Sequence, residues 1–226
     1  FMAVPIIAPG IGQVLLLTGP WQFIFIFMGV LAAAFWLWTY IRLPETLALS
    51  ARRPLSIGAI AKSFVIVFSN RAALSYGLAG MFLFGALFGF ISSSQQIYVD
   101  IYGLGVYFPV AFAAMAGLMS VSSFTNSRVV RRFGMRRLSH GAVLVFTGFS
   151  AVWLAFALTG MLPLWLFFSL LAIIMFSFGW AASNMNSLSM EPLGAVAGTA
   201  SAVFGFIQTV GGAIIGGYIG QLFNGT

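Results

Sequence analysis

The feature that most constrains this chain is its division into seven apolar runs without a single Asp, Glu, Lys, Arg or His, at 1–17, 21–41, 72–99, 106–124, 141–160, 163–183 and 198–223. A helix needs about 20 predominantly apolar residues to cross the hydrocarbon layer of a bilayer. Six of the runs reach or approach that length, and the run at 1–17 reads as a span whose start is cut away. Their length and the lack of strict alternation argue for helices over barrel strands. The expected fold class is therefore an all-α polytopic membrane protein with about seven transmembrane helices.

Composition agrees for a physical reason. With 61% hydrophobic and 6% charged residues, the chain has too few charges to solvate the outside of a soluble domain, so lipid must replace water over most of its surface. The absence of cysteine removes disulfides, thiolate metal sites and cysteine nucleophiles. Three acidic residues and one histidine do not build a metal site, and none is expected. An intramembrane hydrolase needs a nucleophile, a base and an orienting group within reach of one another. His140 and Asp100 fall at opposite membrane faces, so no catalytic residues and no enzyme are expected.

The charges set the topology. Numbering the connections in order, Arg42, Arg52, Arg53, Lys62 and Arg71 belong to the second, and Arg128, Arg131, Arg132, Arg136 and Arg137 to the fourth. All ten basic residues thus share one side, while the opposite connections carry only Asp100. The positive-inside rule makes the basic loops 42–71 and 125–140 cytoplasmic. Insertion energetics account for the net charge of +7, and no aromatic-interleaved basic platform appears, so no nucleic-acid partner is expected. Within the first of these loops, 56–69 reads either as a short interfacial helix with Lys62 snorkelling to water or as a loop leading into the next span.

Three stretches carry a family resemblance. Ala3-Val-Pro-Ile-Ile-Ala-Pro-Gly-Ile-Gly-Gln13 resembles the antiporter motif of helix five in major facilitator drug exporters, with Ala8, Pro9 and Gly12 on its pattern and Ala8 and Gln13 standing where the motif has glycines. Asn126-Ser-Arg-Val-Val-Arg-Arg-Phe-Gly-Met-Arg-Arg137 resembles the superfamily's cytoplasmic loop motif, through Asn126, Arg132, Gly134 and Arg136, although the family's Asp falls on Arg131. Leu43-Pro-Glu-Thr46 and Glu191-Pro-Leu-Gly-Ala-Val-Ala-Gly-Thr-Ala-Ser201 resemble loop signatures of the bicyclomycin- and chloramphenicol-resistance type of exporter. The chain is similar to helices five to eleven of that twelve-helix fold.

The resemblance implies an end of the N-terminal bundle at 1–41, a central cytoplasmic linker at 42–71 and a C-terminal bundle at 72–226. It implies proton-coupled export of drugs across the bacterial inner membrane by alternating access, with small-molecule drugs and protons as partners, the bilayer as surroundings and the proton gradient in place of a cofactor. A metabolite or sugar carrier of the same superfamily is the alternative, followed by a channel or scaffold. Oligomeric state stays open.

Within that frame the basic corner around Gly134 is expected to hold the cytoplasmic side closed, with Arg132 paired to Glu191. A topology-setting basic loop is the plainer alternative. Because no ionisable group lies inside a span, the proton carrier is expected in the four preceding helices of the family plan. Polar and aromatic side chains near mid-depth are the cavity candidates: Gln208 first, then Ser177, Phe84 and Phe88, with Gln95 towards the outer end. Gln208 could equally make an interhelical hydrogen bond, and each Phe could simply pack. Gly212, Gly216 and Gly220, four residues apart, are expected to bring their helix close to a neighbour.

Overall fold

The computed structural model describes residues 4–44 and 56–223, with side chains from residue 10 onward except residue 13. The described residues form helices α1 (Val4–Thr18), α2 (Gln22–Arg42), α3 (Ile57–Ser69), α4 (Arg71–Gln95), α5 (Phe108–Phe133), α6 (Met135–Leu158), α7 (Leu164–Met190), α8 (Ala197–Phe206) and α9 (Gly212–Gln221). Among them there is no strand. A π-helical turn, Gln96–Ile101, extends α4, and another, Ile207–Gly211, joins α8 to α9 into one rod.

Five helical stretches are long and apolar enough to cross a membrane, and the last of them, Leu164–Gln221, contains 58 residues. As one rod it would be about 87 Å long, nearly three times the hydrocarbon thickness. It turns at the tight helical segment Glu191–Val196, where Leu193 leaves helical backbone values at φ −115°, ψ 21°. Pro192 at the start of that segment lacks the N–H a continuing helix would need. Leu164–Gln221 therefore makes two passes, α7 and then α8–α9, giving six long passes preceded by the shorter α1.

Residue contacts give the directions. Phe84 meets Phe178 and Tyr98 meets Phe167, so α4 and α7 are antiparallel. Gly77 lies on Phe204, Gly85 on Ile215 and Gly89 on Ile219, so α4 and α8–α9 are parallel. The main core fills the space between α4, α5, α6 and α7, around the fully buried Tyr98, Phe167, Leu171 and Phe178. Tyr102 Oη donates to the Leu162 carbonyl at 2.8 Å and ties the C-terminal end of α4 to the N-terminal end of α7, while burial raises its phenol above the ordinary pKa. A second cluster, Val67, Ala73, Leu193, Val196, Ala200, Val203 and Phe204, docks α3 onto the corner between α7 and α8.

Of the two readings left open for 56–69, the helix is the one formed, and the expected loop 125–140 is helical as well. The stretch 56–69 is the helix α3, started by Ser56, whose Oγ accepts from the Ala59 N–H at 3.2 Å. The rest of that connection, 45–55, lies outside the described residues, and with it Glu45, Thr46, Arg52 and Arg53. The expected loop 125–140 is the end of α5 and the start of α6, meeting at Gly134 with φ 79° and ψ 151°. Apolar length marks only the part of a helix that lipid covers; arginine is a good helix former, so the helix continues into water beyond the last apolar residue.

Candidate functional site

The seam between α4 and the α8–α9 rod brings several of the expected residues together. A Cβ built on Gly216 would lie 2.5 Å from the Phe88 Cβ and 2.6 Å from the Gly89 backbone nitrogen, and one on Gly212 would lie 3.0 Å from the Phe84 Cβ. Only glycine permits such backbone approach, and α4 returns it with Gly80, Gly85 and Gly89. One turn above Gly212 along this seam sits Gln208, within the π-turn. Its side chain lies over Gly80, where an added Cβ would be 2.7 Å from Nε2. Gln208 is 9% exposed, and among the described residues its amide makes no hydrogen bond. π-Turns of this kind interrupt the regular ladder and recur at functional sites.

Phe84 and Phe88 flank the same seam, edge to face with ring centroids 6.0 Å apart, and Phe84 meets Phe178 of α7 at 5.7 Å. Gln208, Phe84 and Phe88 thus follow one another along a mid-depth strip of the seam, the amide over Gly80 and the two rings one and two turns further along α4. Ser177 does not join it. Although next to Phe178 in sequence, it lines a different groove between α5, α6 and α7, and its Oγ donates to the Ile173 carbonyl at 2.8 Å. Gln95 is exposed at the last residue of α4, far along the helix from Gly80.

The basic corner departs from expectation in its partner. Arg132 lies over the Phe133 ring at 5.5 Å and Arg128 over Phe124 at 4.4 Å. Glu191 is exposed and, among the described residues, has no ion-pair partner, so the expected Arg132–Glu191 pair is not formed. Arg136 is the arginine beside Glu191; the two line a pocket of about 300 Å³ with Tyr76 and Leu188. The reason is the one-residue corner: Arg132 is still on α5, whereas Arg136, on the first turn of α6, faces the ends of α4 and α7. The antiporter-motif residues lie on α1, which stays helical through Ala8 and Pro9 and packs against α5; Gly12 is half-buried.

The sequence profile of the Major Facilitator Superfamily matches residues 1–216. The chain belongs to the Major Facilitator Superfamily. Among facilitator relatives, the bicyclomycin resistance protein homolog of Haemophilus influenzae is 31% identical over 98% of this chain and 56% of its own length. The uncharacterized MFS-type transporter YdgK of Bacillus subtilis is 29% identical over 96% of the chain and 54% of its own length. The multidrug transporter MdfA of Edwardsiella ictaluri is 26% identical over 92% and 52%. The chain spans about half the length of these curated relatives. No solved structure matches it.

In this facilitator segment, a polar seam between α5 and α7 was not foreseen from the sequence. Asn126 and Asn184 exchange two hydrogen bonds, Asn184 Nδ2 to Asn126 Oδ1 at 2.8 Å and Asn126 Nδ2 to Asn184 Oδ1 at 3.2 Å, and both are buried. Trp180 Nε1 donates to the Ser122 carbonyl at 2.9 Å and to Thr125 Oγ1 at 3.2 Å. Ser122 Oγ donates to the Phe176 carbonyl and sits against Gly179. Asn126 is thus a helix-to-helix contact rather than a loop residue. The signal was present: Ser122, Thr125 and Asn126 recur at helical spacing, as do Trp180 and Asn184, and buried polar side chains in apolar surroundings must find partners.

Proposed function

We propose that this chain supplies the second of two helical bundles in a proton-driven drug exporter of the inner membrane, with 1–41 closing the first bundle and 42–71 linking the two on the cytoplasmic side. The mid-depth strip of Gln208, Phe84 and Phe88 carries the reading: aromatic walls and one amide without a hydrogen-bond partner suit bulky, weakly polar molecules. The names of two relatives, a bicyclomycin resistance protein homolog and a multidrug transporter, point to the same class of substrate. In alternating access the two bundles rock around a midplane site, and this strip forms one wall of it.

The coupling proton needs a titrating group inside the membrane. The seven apolar runs of this chain hold none, so the proposal assigns that carboxylate to helices outside it. The gathering of Arg71, Arg128, Arg131, Arg132, Arg136 and Arg137 at the Glu191 end of the bundle favours a cytoplasmic position for that end. Expression of the intact reading frame containing this chain in a pump-deficient bacterial host tests the function. Resistance to chloramphenicol and bicyclomycin that an uncoupler abolishes is the expected result. A well-inserted protein that confers no efflux would overturn drug export.

A further inference from the structure

One groove in the described bundle lies apart from the mid-depth strip. It runs between α5, α6 and α7, has a volume of about 470 Å³, and is walled by Leu118, Gly141, Val145, Ile173, Phe176 and Trp180. Its one charged lining residue is Arg137, on the first turn of α6. From Arg137 to Val145 the groove follows α6 for about 12 Å into the apolar part of the helix. It is open on one side: Val145 and Ile173 are exposed, α6 packs closely on α7, and α5 and α6 barely touch. The indole of Trp180 is pinned to α5 by its hydrogen bonds to Ser122 and Thr125, so the back wall is fixed.

An apolar trough that opens sideways towards hydrocarbon and ends at a guanidinium matches one chemistry, a long acyl chain attached to an anionic headgroup. We infer that this groove holds a phospholipid of the phosphatidylglycerol class, its phosphate on Arg137 and the upper part of one chain along Gly141 and Val145. Charge complementarity favours the anionic lipid. Arg137 is the charge that lines the groove, while Glu191, the one acid at this end among the described residues, lies in a separate pocket beside Arg136. Guanidinium binds phosphate by charge-assisted hydrogen bonds, and basic pockets between helices on the cytoplasmic side suit such headgroups. A lipid here would fill the gap between α5 and α6 that protein side chains leave open. The inference rests on the membrane-spanning reading of the helices and is independent of what the protein transports.

The experiment uses the full-length protein in phosphatidylcholine nanodiscs containing phosphatidylglycerol with a photoactivatable group on one acyl chain, with labelled peptides mapped by mass spectrometry. Wild type is expected to be labelled on the α6 and α7 peptides that line the groove. Arg137→Gln should lower this labelling about fivefold, the weight of one basic residue beside an anionic headgroup. Arg128→Gln, whose side chain rests on Phe124 outside the groove, should leave it unchanged. Gly141→Leu puts a side chain into the trough from a position where an added Cβ meets nothing within 4 Å, and should abolish groove labelling with Arg137 intact. The chainless glycerophosphoglycerol should not compete. Equal loss with Arg128→Gln would mean diffuse attraction to the basic end; competition by the chainless headgroup, or full labelling of Gly141→Leu, would mean that no chain occupies the groove. Any of these results overturns the proposal.

Discussion

Gly216→Ala is the sharpest perturbation of the α4–α9 seam, because the atoms it meets cannot move aside. The new methyl carbon would lie 2.5 Å from the Phe88 Cβ, 2.6 Å from the Gly89 nitrogen and 2.8 Å from the Phe88 carbonyl carbon, all on or next to the α4 backbone. The helices must separate, and neighbouring contacts such as Gly212 on Phe84 and Gly220 on Ser92 loosen with them. Forcing a methylene-sized group into a packed seam costs about 1–3 kcal/mol. At about 2–4 °C per kcal/mol for a domain of this size, the melting temperature should fall by about 2–12 °C. Gly217→Ala is the internal control, one residue along the same helix with nothing within 4 Å of its added Cβ. It should melt at or above wild type, because Ala is the better helix former. Gly212→Ala, with its nearest atoms at 3.0, 3.2 and 3.3 Å, should fall between the two. The assay is thermal unfolding of the detergent-solubilised full-length protein by fluorescence-detected size exclusion. Equal melting temperatures for Gly216→Ala and Gly217→Ala would refute the parallel α4–α9 seam.

Three further substitutions probe other parts of the bundle. Asn184→Leu should destabilise by about 1–3 kcal/mol by leaving Asn126 buried without its partner. The double variant Asn126→Leu/Asn184→Leu should recover part of that loss in the same melting assay. Gly134→Ala places a side chain at φ 79°, ψ 151°, backbone that is essentially restricted to glycine, and should cost about 1–3 kcal/mol; Gly148→Ala, inside α6 with open space, should cost nothing measurable. Gln208→Leu removes the amide of the mid-depth strip and should lower chloramphenicol efflux about two- to tenfold at unchanged surface expression, the range of one net hydrogen bond. Unchanged efflux would move substrate contact away from Gln208.

The helical runs were legible because they follow from solvation, which each residue reports locally. The seven uncharged runs correspond to the short helix α1 and six long helical passes, and the gathering of arginines at one end followed from charge order alone. Helix ends were less legible: α5 continues to Phe133 and α6 begins at Met135, since leaving lipid places no demand on the backbone to stop being helical. The use of Gly212, Gly216 and Gly220 was readable from spacing, but their partner α4 was not, because spacing marks a face and says nothing of what it meets. Partner choice also undid the Arg132–Glu191 pairing. A one-residue corner rotates consecutive arginines to different neighbours, and that rotation depends on the left-handed backbone of Gly134. Ser177 and Gln208 were both candidates from their position along their helices, but that position does not say which cleft a side chain faces, and Ser177 lines the groove between α5, α6 and α7.

The two seams differ in what they resist. Along α4 and α9 the backbones touch through glycines, so the contact is close but holds no directional bond; along α5 and α7 the backbones are tied by the Asn126–Asn184 exchange and the Trp180 donor. Small tilts of the α8–α9 rod on α4 break no directional bond, whereas parting α5 from α7 breaks several; sliding along α4 is blocked where Gly77 and Gly216 lie on Phe204 and Phe88. The π-turn at Ile207–Gly211 lies on the glycine seam, where an irregular ladder already eases bending. If this bundle flexes internally while rocking as a unit, the motion belongs to the α8–α9 rod against α4. The α5–α7 pair then serves as the fixed frame. Cross-linking Gly80→Cys to Gln208→Cys and, separately, Asn126→Cys to Asn184→Cys distinguishes the two: the first bond should slow transport and the second should leave it running, and the reverse result would assign the moving part to α5 and α7.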